Sequence, residues 1–195
     1  MISFSTLRRS KYVSCYIHRT IRLCSNDYFA MFNIPRSFVV SGNDLKKSYH
    51  KLMEENHPDR LSQRVQGTVG DTISPPAAVI TQAYTTLLNP YDRAVHMLGL
   101  YGKLIEEESS MNSGMPLGMD FLVQIMEIRE VIESTTEDDR LVEMLQENRS
   151  RMDAVCVQLT KAFDAHELDN AVRLTQELQY WNRIDETLRQ KIEVH

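Results

Sequence analysis

Apolar residues near the C-terminus recur at intervals of three and four, and this spacing constrains the fold more than any other feature. On an α-helix such a spacing places the side chains on one face, as in helices that pack into bundles. Two long segments, 138–166 and 169–194, have this pattern. Gly and Pro number only seven and six in 195 residues, so helix breakers are scarce. The sequence therefore predicts an all-α protein. The apolar positions of the two segments are Leu141, Met144, Leu145, Met152, Val155, Cys156, Leu159 and Phe163, and then Leu174, Leu178, Trp181, Leu188 and Ile192.

A third segment, 119–134, carries apolar residues on two arcs instead of one. At about 100° per residue, the first arc predicts a face towards a core. A small bundle needs only one apolar face per helix, so the second arc predicts a partner. Packing against the N-terminal part of the chain or another bundle helix is the alternative. The first arc holds Phe121, Ile125, Ile128 and Ile132, and the second holds Leu122, Val123 and Met126 with Glu130 among them; Tyr180 likewise lies off the stripe of its own segment.

The N-terminal half contains shorter helical patterns. In "SGNDLKKSYHKLMEEN", 41–56, Ser41 is a plausible N-cap with Asp44 three residues later. Residues 60–74 read as a loop, and Ser74 before Pro75 predicts the next helix start, which the pair Pro75–Pro76 should delay. A third helix is predicted over 90–102, after an aromatic segment at 27–35. The predicted core positions are Leu45, Tyr49, Leu52, Met53, Ile80, Ala83, Tyr84, Leu87 and Leu88.

The order of these segments predicts four parts of the chain. Residues 27–102 form an N-terminal helical domain, and 119–195 form a three-helix bundle. Between them, "KLIEEESSMNSGMPLG" at 103–118 lacks helical periodicity and reads as a linker. Residues 1–26 precede the first domain.

A polar tripeptide, His57-Pro58-Asp59, follows the helix predicted over 41–56. Proline disfavours helical geometry in the residue before it and has a fixed φ, so the tripeptide predicts a rigid, exposed turn. An acid–base pair or a pair of metal ligands is conceivable, but no nucleophile, Gly-rich loop or further ligand lies at motif spacing. Basic residues of the preceding helix lie away from its apolar stripe and lead into the turn: Lys46, Lys47, His50 and Lys51, with Arg60 directly after the tripeptide.

Charge is distributed unevenly along the chain. Residues 1–26 contain five Lys and Arg, interleaved Ser and Thr, and no acid. This composition is typical of a mitochondrial targeting peptide, and the alternative is a basic disordered tail. The remainder has 17 Lys and Arg against 27 Asp and Glu, which disfavours nucleic acid as a partner. No run approaches the roughly 20 apolar residues of a membrane span, so no membrane partner is expected.

The three cysteines are Cys15, Cys24 and Cys156. An odd number without Cys-x-x-Cys spacing predicts neither a disulfide framework nor a zinc site. We therefore expect no metal and no cofactor.

Two helices, a connecting loop with His57-Pro58-Asp59 and a basic helix face together resemble the J-domain of DnaJ-class co-chaperones. The order "DYFAMFNIP", "HPDR", "ITQAYTTLLNPYDRAVHML", "FLVQIMEIREVIE" and "LQYWNRI" is similar to the HscB type, over roughly residues 27–195. That resemblance implies a J-domain joined to a C-terminal three-helix bundle that binds an iron–sulfur cluster scaffold protein of the IscU type. Some animal relatives have zinc-binding Cys-x-x-Cys pairs, which Cys15 and Cys24 do not match.

The resemblance also implies a role for specific residues. His57, Pro58 and Asp59, with Lys46, Lys47, Lys51 and Arg60, would contact a DnaK-type chaperone and stimulate its ATPase. Leu122, Val123, Met126, Glu127, Glu130 and Tyr180 would bind the scaffold. The expected function is that of a non-enzymatic co-chaperone in the mitochondrial matrix that promotes cluster transfer. The alternatives are a co-chaperone of protein import or general folding, a helical adaptor and, least favoured, an enzyme using His57 and Asp59.

Overall fold

The computed structural model describes residues 27–56, 75–103, 105 and 117–194. Within these ranges the regular structure is helical and contains no strand, which confirms the all-α prediction. None of the described helices is long and apolar enough to cross a membrane. The helices are α1 (Tyr28–Met31), α2 (Gly42–Glu55), α3 (Ala77–Leu88), α4 (Pro90–Leu100), α5 (Met119–Ser134), α6 (Asp138–Asp164) and α7 (Leu168–Val194).

Local chemistry sets several helix ends. The Ser41 hydroxyl accepts a hydrogen bond from the Asp44 amide at 3.4 Å, which confirms the predicted N-cap of α2. The Asn89 side chain accepts from the Tyr91 and Asp92 amides and starts α4, with Pro90 in the first turn. The start predicted for α3 at Pro75 is wrong, because α3 begins at Ala77. A residue before proline avoids helical geometry, so Pro76 holds Pro75 out of the helix.

In the N-terminal part, α2 packs on α3 and α3 packs on α4. Leu45 of α2 is completely buried, and Tyr49 of α2 stacks on Tyr84 of α3 at 4.4 Å between ring centroids. The predicted core position Leu88 is wrong, because half of that side chain is exposed. It is the last residue of α3, and helical periodicity implies burial only where another element covers the helix face.

The C-terminal helices form the predicted bundle. A turn of three residues joins α6 to α7, so the two helices run antiparallel, and pairs such as Asn148 with Trp181 and Arg149 with Asp185 join them across their interface. Helix α5 runs parallel to α7: its start meets Tyr180, and its end meets Lys191. The Lys191 ammonium donates to the last-turn carbonyls of Ile132 and Glu133, which have no partner within α5.

The N-terminal helices contact this bundle directly. Helix α4 packs along α7. Lys103, which follows α4, forms an ion pair at 2.7 Å with Asp169 in the first turn of α7. The ring of Phe38, which precedes α2, stacks on Phe163 of α6 at 5.6 Å between centroids. One continuous set of buried apolar residues therefore runs from α1 to α7.

Candidate partner-binding surfaces

The first candidate surface is the basic face of α2. Lys46, Lys47 and Lys51 are all exposed, whereas Leu45, directly before them, faces the core. Among the described residues, one ion pair lies on this face and joins Lys47 to Asp44 at 3.6 Å, with both side chains about two-thirds exposed or more. A pair this exposed contributes little to stability, so it leaves the ammonium available for a partner. The described part of α2 thus presents a row of cations on the side opposite its core contacts.

The C-terminal end of α2 leads towards the predicted turn. Asn56 closes the helix by donating its side-chain amide to the Leu52 carbonyl at 2.8 Å. The helix thus ends where the tripeptide predicts. His57, Pro58, Asp59 and Arg60 themselves lie outside the described residues. Their assignment as a chaperone-contacting turn stays a prediction.

The second candidate surface is the outward side of α5. Ile125 and Ile132 are buried and Phe121 and Ile128 are half-buried, so the first apolar arc faces the core as predicted. On the other arc, Val123 is 45% and Met126 62% exposed. Leu122 is half-buried beside them. The alternative in which Met126 packs on another part of the chain is therefore wrong for the described residues.

Acidic and aromatic side chains border this apolar arc. Glu127 and Glu130 are exposed on the same helix. Tyr180 of α7 is half-buried, with its ring edge-on to Phe121 at 5.7 Å and the Arg183 guanidinium 5.9 Å from its centroid. The α5 patch (Leu122, Val123, Met126, Glu127 and Glu130) together with Tyr180 is thus an apolar strip with a charged border. Such exposed apolar patches commonly bind partner proteins.

Sequence reasoning missed one member of this surface, Met119. It is 64% exposed at the start of α5. Its position three, four and seven residues before Leu122, Val123 and Met126 places it on the same helix face. That spacing could have identified it, but Met119 directly follows the predicted linker and was not assigned to either arc.

The described residues contain no cluster of three or more potential metal ligands. Cys156 of α6 is half-buried and free, and burial raises the pKa of its thiol. A raised pKa lowers the thiolate fraction, so this cysteine is poorly suited to nucleophilic or ligand chemistry. The described residues thus present two exposed surfaces suited to binding proteins, the basic face of α2 and the outward side of α5.

Comparison with known proteins agrees with this picture. Residues 117–189 match the family model described as the HSCB C-terminal oligomerisation domain. The human iron–sulfur cluster co-chaperone protein HscB is 28% identical over 167 residues, spanning 86% of this chain and 69% of the relative. The mitochondrial J-type co-chaperone jac1 of Schizosaccharomyces pombe is 32% identical over 152 residues, spanning 77% of this chain and 64% of the relative.

Solved structures give the same fold over both halves of the chain. The crystal structure of human HscB aligns with a TM-score of 0.71 at 26% identity, covering 86% of this chain and 82% of that one. The Jac1 co-chaperone from Saccharomyces cerevisiae, in its 5–182 form, aligns with a TM-score of 0.65 at 22% identity, covering 84% and 90%. At that identity the likeness to Jac1 concerns the fold alone. The chain therefore has the architecture of these proteins, an N-terminal J-like domain followed by a helical bundle.

Proposed function

We propose that this chain, which belongs to the HscB-type family of co-chaperones, delivers an iron–sulfur cluster scaffold protein to a DnaK-type chaperone. The C-terminal bundle binds the scaffold through the α5 patch and Tyr180. The basic face of α2 and the turn at His57-Pro58-Asp59 contact the chaperone and stimulate its ATPase. ATP hydrolysis then favours transfer of the cluster, a cargo of the scaffold, to acceptor proteins.

The observation that carries this proposal is the exposure of Val123 and Met126 on a helix whose opposite face is buried. Transferring a side chain of this size from water to an interface contributes on the order of 1.5–3 kcal/mol, so a few of them suffice for a specific contact. Glu127 and Glu130 at the border would fix orientation and exclude wrong partners. Holding both proteins on one chain makes their encounter effectively intramolecular, which raises local concentration without tight individual contacts.

Replacing Leu122, Val123 and Tyr180 together with Ala tests the scaffold half of the proposal. Buried interface side chains of this kind cost about 2 kcal/mol or more, so binding to purified scaffold protein should weaken by at least about 30-fold in calorimetry. Val157→Ala is the matched control, because Val157 is 56% exposed on α6, away from the patch. Circular dichroism should show unchanged helicity in both variants. If the triple variant still binds scaffold normally, the bundle is not the scaffold site.

His57→Gln tests the chaperone half. We expect it to abolish stimulation of the chaperone's ATPase while scaffold binding persists. Lys47→Ala combined with Lys51→Ala should reduce stimulation less severely, and more so at low than at high salt, because both are exposed charges. Normal stimulation by the His57 variant would exclude a J-domain mechanism. Normal scaffold binding by the triple variant would favour a co-chaperone of import or general folding instead.

Location in the mitochondrial matrix is part of the proposal. Residues 1–26 have the composition of a targeting peptide, and the Schizosaccharomyces pombe relative is named as mitochondrial. Mass spectrometry of the protein from its source should find a new N-terminus near residues 23–26. An intact Met1 on the mature protein would contradict import by this route.

A further inference from the structure

A groove of about 260 Å³ lies between α5, α6 and α7 and shares only Glu127 with the α5 patch. Its apolar walls come from all three helices and include the fully buried Ile184 and Leu188. Val131, 45% exposed, stands at its rim. With roughly 30 Å³ per water molecule, the space is too large for one bridging water to fill. The residues that line it are Glu127, Ile128, Val131, Arg140, Met144, Glu147, Asn148, Arg151, Ile184 and Leu188.

Asn148 gives this groove an unused hydrogen-bond acceptor. The residue is completely buried, and its amide nitrogen donates to the Trp181 carbonyl at 3.0 Å. This bond fixes the orientation of the amide, because a flipped group would direct its oxygen at another oxygen. The oxygen, Oδ1, has no partner among the described residues. An unsatisfied buried acceptor costs about 1–3 kcal/mol, so a donor that reaches it gains correspondingly.

The charges around the groove select the kind of donor. Arg140 pairs with Glu143 and Glu147, and Arg151 lies 3.7 Å from Glu147 and over the Trp181 ring. Both arginines that line the groove are therefore paired with Glu147, a carboxylate of the same groove. Glu127 is exposed and makes no ion pair within the described chain. A free carboxylate, a buried oxygen acceptor and apolar walls together match a side chain with a hydrocarbon stem and a cationic head.

We propose that this groove receives a lysine or arginine side chain of the scaffold protein. Its stem lies between Ile128, Val131 and Met144, and its head reaches Glu127 and Asn148. The proposal rests on the proposed function, and Glu127 makes the groove continuous with the α5 patch. Asn148 Oδ1 is buried in the unoccupied groove. A side chain of the groove wall therefore has to move before a donor can reach this oxygen. Met144 is its flexible apolar member.

Blocking the groove at its rim tests the proposal without touching the α5 patch. Val131→Phe places a ring over the opening, and we expect about tenfold weaker binding of purified scaffold protein by calorimetry. Val142→Phe is the matched control, since Val142 is 40% exposed on α6 and does not line the groove. It should bind as the unaltered protein does. Equal affinities of the two variants overturn the groove as a binding site.

The cationic head is tested by a double-mutant cycle. Each exposed Lys and Arg of the scaffold is replaced by Ala and titrated against the unaltered chain, Val131→Phe and Glu127→Gln. Replacing one particular basic residue of the scaffold should weaken its binding to the unaltered chain. The same replacement should weaken binding to Val131→Phe or Glu127→Gln little further. If no basic residue couples in this way, the assignment of the occupant is wrong. The rival occupant is a second copy of this chain, and sedimentation of the chain without scaffold tests it. If the sedimenting mass is lower for Val131→Phe than for the unaltered chain, the groove is an interface between two copies.

These outcomes separate the groove from the proposed function. If the triple variant at Leu122, Val123 and Tyr180 loses binding while Val131→Phe retains it, only the groove proposal fails. If scaffold binding survives both changes, the proposed function fails with it.

Discussion

Phe38 joins the N-terminal helices to the bundle, and its removal should weaken both. Its ring stacks on Phe163 of α6, and the Arg93 guanidinium of α4 lies 4.9 Å from its centroid. The side chain is only 3% exposed, so truncation removes nearly all of its contacts. Replacing a buried Phe with Ala costs about 3–5 kcal/mol through lost apolar burial and the cavity that remains. The aromatic and cation contacts favour the upper part of that range.

Fluorescence of Trp181 provides the assay, because this is the only tryptophan of the chain and it lies in α7 of the bundle. Phe38→Ala should lower the urea midpoint followed by Trp181, although Phe38 precedes α2 in the N-terminal part. Far-UV circular dichroism should follow the same transition if the helices unfold together. Val39→Ala is the control, since its neighbouring side chain is 66% exposed and should change the free energy of unfolding by no more than about 0.5 kcal/mol.

A structural link through Phe38 is contradicted if Phe38→Ala leaves the Trp181 midpoint unchanged while the circular dichroism transition splits in two. That result would mean that the bundle is stable without the contact and that the two parts unfold independently. A loss no larger than that of Val39→Ala would show that the stacked rings contribute little.

Two further predictions concern buried polar groups. His96 is buried, accepts from the Tyr28 amide at 3.3 Å, and burial lowers its pKa, while Asp27 raises it and Arg36 lowers it. The folded state therefore disfavours protonation, so the stability contributed by neutral His96 is complete above its unfolded pKa of about 6.5 and is lost as pH falls towards its folded pKa. Urea titrations should show this fall in the unaltered chain and a flatter profile in His96→Gln, whereas changing the exposed His50 to Gln should leave the fall intact. Asp185→Asn should cost about 1.5–3 kcal/mol in urea unfolding, the usual contribution of hydrogen bonds to a charged group, because this buried carboxylate pairs with two half-exposed arginines at 3.4 and 2.6 Å. An equal loss in the exposed Glu193→Gln would contradict it.

Helix existence was predictable from sequence wherever long apolar stripes face one another. Helices α6 and α7 differ from their predicted ranges by two residues at most. The prediction ran past the end of α6 because His166 takes the left-handed conformation that usually calls for glycine, with φ of 56°. Its amide donates to the Phe163 carbonyl and that of Glu167 to the Ala162 carbonyl, which closes the helix as a Schellman motif. No Gly marks this end, so composition gave no stop signal.

The exposed arc of α5 was also predictable, because periodicity on one helix decides which side chains cannot face a single core. Burial of polar groups was not. Asn148 of α6 and Asp185 of α7 are buried although both side chains are polar. Their burial depends on which residues of another helix come opposite, Trp181 for one and Arg149 for the other. Spacing along one segment carries no information about that register, so neither the groove nor its acceptor could be read from the sequence.

The packing of α4 along α7 has a consequence for how two partners would meet on this chain. Contacts run without interruption from α2 to α3, from α3 to α4 and from α4 to α7, and Phe38 adds a second link to α6. With a flexible connection, the distance and orientation between the basic face and the α5 patch would vary. The effective concentration of one bound partner near the other would then fall as the connection became longer. A packed connection fixes the separation and direction of the two surfaces. Under the proposed function, presentation of a scaffold to a chaperone would depend on contacts that touch neither partner. Phe38→Ala would then impair that presentation without changing a residue of the basic face or of the α5 patch.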